Sequence, residues 1–181
     1  MPEPEFTLLG DAVWLDFVNT ARGRTPSTSD LLTDATAYCR WARAQHLDPD
    51  AGRTPFDEVR RFRDRLTELA EALHAGRRPP AGAIAAINER LTRCQGCHQL
   101  TRVGGAWRLR FAPAEPPSAL DAIARSAAAS LADPAVRVRR CAGQGCSLFF
   151  TDTSLHGSRR WCNPEVCGRH ARVERRRGLA R

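Results

Sequence analysis

Apolar residues recur at helical spacing along most of the first 134 residues. The longest stripe lies in FDEVRRFRDRLTELAEALHAG, residues 56–76, where an apolar side chain returns every third or fourth position. Comparable spacing predicts one helix after Asp11, which we expect to cap it, and a second helix after a cap at Ser29 or Asp30. Further helices are predicted over residues 81–94 and 116–134.

In residues 99–112 the spacing of apolar residues changes to every second position. QLTRVGG and AWRLRFA alternate apolar and polar residues around Gly104-Gly105, a pattern typical of a β-hairpin. Later in the chain VRVRRC and SLFFTD each predict a short strand, and CGRHARVERRR predicts a terminal helix. These patterns indicate a mostly helical α+β fold, with a helical N-terminal domain containing a β-hairpin (1–134) and a small C-terminal domain (135–181).

The net charge of +8 is confined to the C-terminal domain. Residues 1–136 hold 17 arginines and 17 acidic residues, whereas residues 137–181 hold 11 arginines and three acidic residues. A neutral body with a basic end favours binding of a polyanion at that end. We expect a cytoplasmic protein without a membrane partner, because neither a secretory signal nor an apolar run of roughly 18 residues is visible.

Four of the seven cysteines lie in this basic end as two equally spaced pairs, Cys141-x4-Cys146 and Cys162-x4-Cys167. Thiolates are preferred ligands of Zn²⁺, and four of them would close a tetrahedral structural site with no open position for catalysis. Disulfides are less favoured in a cytoplasmic chain, and incidental spacing is the remaining alternative. His156 and His170 lie nearby, and either could replace one cysteine as a ligand.

Two parts of the chain resemble known families. RRCAGQGC-SLFFTDTS-x4-RRWC-x4-CGRHARVERRR is similar to the CGNR zinc-finger module. LLGDAVWLDFVNT, with the later DLL and W, resembles the ABATE domain that usually precedes this finger and has a proposed role in stress-induced transcription regulation. The resemblance implies a treble-clef-like finger with a role in DNA binding, holding one structural Zn²⁺ on Cys141, Cys146, Cys162 and Cys167.

One departure from the finger's pattern is visible. The tetrad Cys-Gly-Asn-Arg, for which the module is named, is here Cys167-Gly168-Arg169-His170. The local role of the asparagine, capping or bridging the zinc loop, is therefore lost, and the positive charge moves one residue earlier.

Arginine side chains suit both phosphates and guanine edges, so those around the cysteines are the candidates for contacts with duplex DNA. Three of them share one face of the terminal helix by their i, i+3, i+7 spacing, and a fourth is adjacent. The alternative for the last residues, 175–181, is a solvated tail. The candidates are Arg159, Arg160, Arg169, Arg172, Arg175 and Arg176.

Asp16, Asn19 and Thr20 share one face of the first predicted helix. A carboxylate, an amide and a hydroxyl together could hold a small-molecule effector, whereas the alternative is that they bond to neighbouring backbone or cap the helix. An effector domain joined to a DNA-binding finger would form a one-component regulator, and a homodimer is compatible with that design.

Cys94-Gln95-Gly96-Cys97-His98 formally matches a c-type haem attachment motif. Haem is disfavoured because such attachment occurs outside the cytoplasm, and the alternatives are a helix-to-strand turn with small thiols or a redox-sensitive pair.

No catalytic triad, phosphate-binding loop or carboxylate pair stands out, so we do not expect an enzyme. The rival functions are a zinc-knuckle module that binds an acidic protein, with only nonspecific nucleic-acid binding, and an enzyme acting on a small molecule in the N-terminal domain.

Overall fold

The computed structural model describes residues 6–23, 25, 30–49 and 54–179. Its N-terminal part contains five helices, namely α1 (Val13–Asn19), α2 (Ala35–Ala44), α3 (Phe56–His74), α4 (Ala81–Arg93) and α5 (Ala119–Ala132). A hairpin of β1 (Gly96–Val103) and β2 (Ala106–Pro113) separates α4 from α5. The C-terminal part contains β3 (Arg137–Arg140), β4 (Phe149–Asp152), a π-helical turn (Pro164–Gly168) and α6 (Arg169–Leu179). The predicted mostly helical α+β class is confirmed.

The first helix starts differently from the prediction. Asp11 has a φ of 57°, in the left-handed region, and α1 begins two residues later without a side-chain cap. The carboxylate of Asp11 instead accepts a hydrogen bond from the distant Arg159. The predicted cap at Asp11 is therefore wrong, because a contact with the C-terminal part of the chain fixes this residue.

The cap of α2 also differs from the prediction. Asp34 is the cap, since its carboxylate accepts from the backbone N–H of Ala37 at 2.8 Å. Asp30, one predicted cap, accepts from both Nη atoms of Arg63 at 2.7 and 2.5 Å. Ser29, the other predicted cap, lies outside the described residues.

The main core is built around α1, in which six of the seven residues are buried. This helix packs against α3, α5 and β4, and α3 packs in turn against α4 and β3. Trp14 and Phe17 are fully buried, and burying each such aromatic side chain contributes about 2–3 kcal/mol. The core extends into the C-terminal part, because it includes Val138 of β3 and Phe149 of β4.

The β3–β4 hairpin connects the main core with a second, smaller one. Its strands are antiparallel, with Arg137 opposite Asp152 and Arg140 opposite Phe149. Successive side chains of a strand point to opposite faces, so Phe149 enters the main core while Phe150 packs with the four cysteines and Leu148. The finger is thus joined to the N-terminal helices through a shared strand.

The β1–β2 hairpin forms as predicted, with Gly104 and Gly105 at positive φ values of 57° and 83° in its turn. Most side chains on both faces of this hairpin are exposed. No helix in the described part of the chain is long and apolar enough to cross a membrane.

Candidate metal centre and nucleic-acid interface

Four cysteine sulfurs meet between the β3–β4 connection and the start of α6. All four Sγ atoms lie within 4.8 Å of one another, with 3.9 Å between Cys146 and Cys162 and 3.8 Å between Cys162 and Cys167. Zn–S bonds of about 2.3 Å in a tetrahedron place the sulfurs about 3.8 Å apart, whereas a disulfide needs about 2.05 Å. The geometry therefore fits a tetrahedral Zn²⁺ site, and the four cysteines are free thiols in this structure.

The first cysteine pair lies in a tight connection between β3 and β4. The backbone N–H of Cys141 donates to the carbonyl of Leu148 at 2.9 Å and closes this connection. A Cβ atom at Gly143 would lie 3.0 Å from the Cβ and 3.2 Å from the Sγ of Cys167. Glycine at this position therefore lets the first pair approach the second closely.

The second cysteine pair is positioned by the turn that precedes α6. Asn163 caps this turn, because its side-chain oxygen accepts from the backbone N–H groups of Glu165 at 2.9 Å and Val166 at 3.2 Å. Pro164 starts the turn, and Cys167 lies inside it. The metal ligand is thus rigidly connected to the first residue of α6, Arg169.

The electrostatics of the four thiols favour a bound cation. Hydrogen bonds from the thiols of Cys146 and Cys162 lower the pKa of Cys141, and the backbone N–H groups of Cys162 and Gly143 assist at 3.4 Å each. Sharing protons with Cys141 raises the pKa values of Cys146 and Cys162. Negative charges this close repel one another, and Zn²⁺ supplies the positive charge that stabilises four thiolates.

The two alternative ligands predicted near the site do not enter it. His156 and His170 are both exposed. Among the residues that the structure describes, the metal-ligand cluster contains only the four cysteines, all of them buried. The donor set is therefore four sulfurs, which closes the coordination shell.

Arg159 is half-buried and contacts the backbone around the second cysteine pair. Its guanidinium donates to the carbonyls of Trp161 at 2.9 Å and Cys162 at 2.5 Å, and also to the carboxylate of Asp11. It also lies 4.6 Å from the centre of the Phe150 ring. Because these bonds use most of its N–H donors, the geometry assigns Arg159 a structural role, and the DNA contact expected of it stays a prediction.

The other candidate arginines face solvent. In contrast to Arg63, Arg90 and Arg139, which pair with carboxylates, none of them forms an ion pair with an acidic side chain that the structure describes. Their charge is therefore available to an external anion. These exposed residues are Arg160, Arg169, Arg172, Arg175 and Arg176.

Trp161 and Glu174 orient this arginine surface. Arg160 lies 5.5 Å from the centre of the Trp161 ring, and Trp161 packs in turn against the second core. With the Gln144 amide oriented to satisfy both groups, its nitrogen donates to the carboxylate of Glu174 at 2.9 Å. Glu174 is thus directed toward the cysteine-bearing connection, and helical spacing places Arg169, Arg172 and Arg176 on the opposite side of α6.

Asp16 and Thr20, two of the candidate effector residues, are buried and hydrogen-bonded inside the N-terminal part. Asp16 accepts from the backbone N–H of Gly10 at 2.7 Å and from Gln45 at 3.1 Å, while burial raises its pKa. Thr20 donates to the carbonyl of Phe17 at 2.6 Å and accepts from Arg63 at 2.9 Å. Their polar groups therefore stabilise the fold, and an effector at this position stays a prediction.

The third candidate, Asn19, joins the two parts of the chain. Its amide nitrogen donates to the carbonyl of Phe149, and its oxygen accepts from the N–H of the same residue, both at 2.8 Å. This pair of bonds satisfies a buried backbone donor and acceptor of β4. Sequence reasoning missed the role, because the partner lies 130 positions away and leaves no local signal.

The Cys94–Cys97–His98 motif lies where α4 passes into β1. Cys94 is half-buried directly after α4, whereas Cys97 is exposed on β1. His98, the next residue, lies edge-on to Phe111 with ring centres 5.8 Å apart. This placement matches the helix-to-strand turn considered from the sequence.

Family comparisons agree with this architecture. Residues 11–134 match the ABATE family, described as "Putative stress-induced transcription regulator", and residues 137–178 match the CGNR zinc finger. No curated protein matches the chain. The chain therefore belongs to the ABATE family and carries a CGNR zinc finger, in which the four clustered cysteines hold one structural Zn²⁺.

Proposed function

We propose that this protein is a cytoplasmic transcription regulator that binds duplex DNA through the arginine side of α6. The observation that carries the proposal is the set of exposed arginines on one side of this helix, which form no ion pair with a described acidic side chain. The zinc site holds the start of the same helix. The arginines of the set are Arg169, Arg172, Arg175 and Arg176.

The shape of the C-terminal part supports this mode of binding. Helix α6 is exposed along residues 169–177 except at Ala171, which is half-buried, so it can approach a partner from several directions. The major groove of B-DNA is about 12 Å wide and admits an α-helix. Phosphate contacts by the arginines would provide affinity, and contacts with guanine edges would provide specificity.

The proposal assigns the metal a structural role and the protein no catalytic one. Four thiolates complete the tetrahedral shell of Zn²⁺ and leave no position for a substrate or an activated water. The metal then serves to hold two cysteine pairs and α6 in one arrangement, as in other small domains whose folding depends on zinc.

The test is the fluorescence anisotropy of a labelled random duplex titrated with zinc-loaded protein over a series of salt concentrations. Binding that weakens as salt rises is expected, because each phosphate contact releases counterions. Arg172→Ala should weaken binding and make the salt slope shallower by about one. Arg125→Ala is the matched control, since Arg125 is exposed on α5 in the neutral N-terminal part, and it should leave the slope unchanged.

Absence of binding at low salt by intact, zinc-loaded protein would overturn the proposal. Equal effects of Arg172→Ala and Arg125→Ala would also contradict it, because binding would then depend on charge in general and not on α6. In either case the zinc-knuckle protein-interaction module becomes the better explanation of the finger. Chelation of zinc should release α6 from its fixed position beside the cysteines. The zinc-free protein should therefore bind DNA more weakly than the zinc-loaded protein.

A further inference from the structure

The β1–β2 hairpin has one uncovered apolar face. Cross-strand partners share a face, and the register pairs Leu100 with Leu109, His98 with Phe111 and Arg102 with Trp107. We call these six residues the hairpin apolar face. Exposed fractions reach 65% for Leu100, 67% for Leu109, 66% for Trp107 and 43% for Phe111.

The other face of the same hairpin is polar at its centre, between Cys97–Ala112 at one end and Val103–Ala106 at the other. Gln99 is opposite Arg110, and Thr101 is opposite Arg108. Such alternation is typical of a ribbon that buries one side. Yet no other helix or strand of the described chain packs closely against this hairpin. A two-stranded hairpin alone is marginally stable in water, so the exposed apolar side chains need a partner.

We propose that the hairpin apolar face is a homodimer interface, covered by the same face of a second copy of this chain. The exposed area of this face is large enough for a small dimer interface. Four side chains at these exposed fractions present roughly 500 Å² of mostly apolar surface per copy, given that an aromatic side chain buries ~150–250 Å². Two copies would therefore bury about 1,000 Å², the lower limit for a specific interface, before the flanking residues are counted.

The charged side chains of the hairpin are all positive, so the two copies must be arranged with their arginines apart. Residues 96–114 contain no acidic side chain, and aromatic residues together with arginine are typical of interface centres. A twofold axis across the strands at the Leu100–Leu109 pair would place Arg102 of one copy opposite His98 of the other, with Phe111 as the neighbouring side chain. Two arginines would then not face each other, and each guanidinium could lie over an aromatic ring.

The test compares neighbouring residues of β1 that point to opposite faces. Sedimentation velocity over a wide range of concentrations, without DNA, should show a dimer for the wild-type protein. Leu100→Glu adds a charge to the hairpin apolar face and should reduce the mass to that of a monomer. Gln99→Glu adds the same charge to the polar face and should leave the dimer intact, with zinc content and circular dichroism unchanged in both variants.

Hydrogen exchange of the wild-type protein is the second measurement, and it does not depend on the folding of any variant. Protection of the amides of residues 96–113 should rise with protein concentration if the hairpins pack together. A wild-type monomer at all concentrations, a dimer that persists in Leu100→Glu, or hairpin protection independent of concentration would each overturn the proposal. The proposal does not rest on DNA binding, because its measurements are made without DNA.

Discussion

At the scale of single residues, Asn19 satisfies two buried backbone groups of β4 with one side chain. Its amide bonds to both the N–H and the carbonyl of Phe149, and these bonds connect the first helix of the chain to the zinc finger. A side chain that could not form these bonds would leave a buried donor and a buried acceptor without partners. Such unsatisfied groups cost about 1–3 kcal/mol each.

We therefore predict that Asn19→Ala lowers the free energy of unfolding by about 2–4 kcal/mol. The measurement is urea unfolding of the zinc-loaded protein, monitored by circular dichroism. Asn88→Ala is the matched control, because Asn88 is exposed on α4 and should change the free energy only slightly. Equal free-energy changes in the two variants would show that the bonds between Asn19 and Phe149 contribute little.

Arg159 and Arg160 show at the same scale why residue type alone is not enough. Both are arginines beside the second cysteine pair, and the sequence suggests DNA contact for both. The structure directs the Arg159 guanidinium onto the carbonyls of Trp161 and Cys162, while Arg160 is exposed over the Trp161 ring. The carbonyl partners of Arg159 are close in sequence, but its third partner, Asp11, lies 148 positions away. That contact, which the sequence does not reveal, distinguishes Arg159 from Arg160.

At the scale of elements, the zinc site determines whether the turn before α6 and α6 itself stay ordered. This helix contributes little apolar burial of its own, since residues 169–177 are almost all exposed. Strand β4 has independent support, because Phe149 lies in the main core and bonds to Asn19. Loss of zinc should therefore affect the C-terminal elements unequally.

We predict that Cys162→Ser loses the bound zinc and unfolds residues 158–179, while β4 remains protected. Zinc binding contributes about 10–16 kcal/mol of folding free energy in small zinc-dependent domains, so its loss should unfold the residues that depend on it. Zinc content by atomic absorption and amide hydrogen exchange along the chain are the measurements. Cys97→Ser is the control, because Cys97 is an exposed thiol of β1 outside the cluster and its loss should change neither result.

The zinc assignment would be contradicted if Cys162→Ser retained full zinc content and an ordered α6. Uniform loss of protection in β3, β4 and α6 would instead show that the main core does not hold β4 without the metal. The two outcomes separate the role of zinc from that of Phe149.

At the scale of the whole molecule, the ion pair between the buried Arg63 and the partly exposed Asp30 links the stability of the fold to pH. Burial alone would raise the pKa of Asp30, but hydrogen bonds from Arg63 and from the N–H of Leu32 outweigh it and lower the pKa below 3.8. Arg63 is almost fully buried, with its side chain 4% exposed. An aspartate with a lowered pKa stabilises the fold above its ordinary pKa, and this contribution is lost as the pH falls through the lowered value.

We predict that Asp30→Asn lowers the free energy of unfolding by about 2–3 kcal/mol at neutral pH, because it leaves the buried Arg63 without its counter-ion. The difference between wild type and variant should be constant at neutral pH and shrink below about pH 3.8. Urea unfolding at a series of pH values measures this difference in unfolding free energy. Acid also weakens zinc binding, but it does so equally in both proteins and therefore cancels in the difference. A difference that did not shrink in acid would show that the carboxylate charge is not its cause.

The main core also contains residues of the zinc finger, so it joins the two parts of the chain. Val138 and Phe149 of the zinc finger lie in the main core, and Thr151 donates its backbone N–H to the carbonyl of Gly10 at 2.9 Å. The division at residue 134 stays a prediction, and these contacts mean that the finger and the N-terminal helices stabilise each other. If the hairpin apolar faces pair as proposed, each dimer would carry two arginine helices.

The sequence by itself determined the features that depend on neighbours along the chain. The period of apolar residues is a local property, so it predicted α3, α4, α5, the β1–β2 hairpin and the strands β3 and β4 correctly. The pairing of β3 with β4 was not predicted. The zinc site could also be predicted from the sequence, because each cysteine pair spans only six residues and thiolate ligands favour zinc. The concentration of positive charge in the last quarter of the chain was likewise visible in the composition.

Only the tertiary structure decided where the ends of helices and the polar side chains find their partners. Asp11 and Asp30 were predicted as caps but bond to Arg159 and Arg63. Asn19 was a candidate for an effector pocket, with bonding to the backbone as the alternative, and it bonds to the backbone of Phe149. Each of these partners is more than 30 positions away, so no local pattern could reveal it. A hydrogen bond depends on distances in space of about 3 Å, and the folded chain alone sets those distances between residues so far apart in sequence.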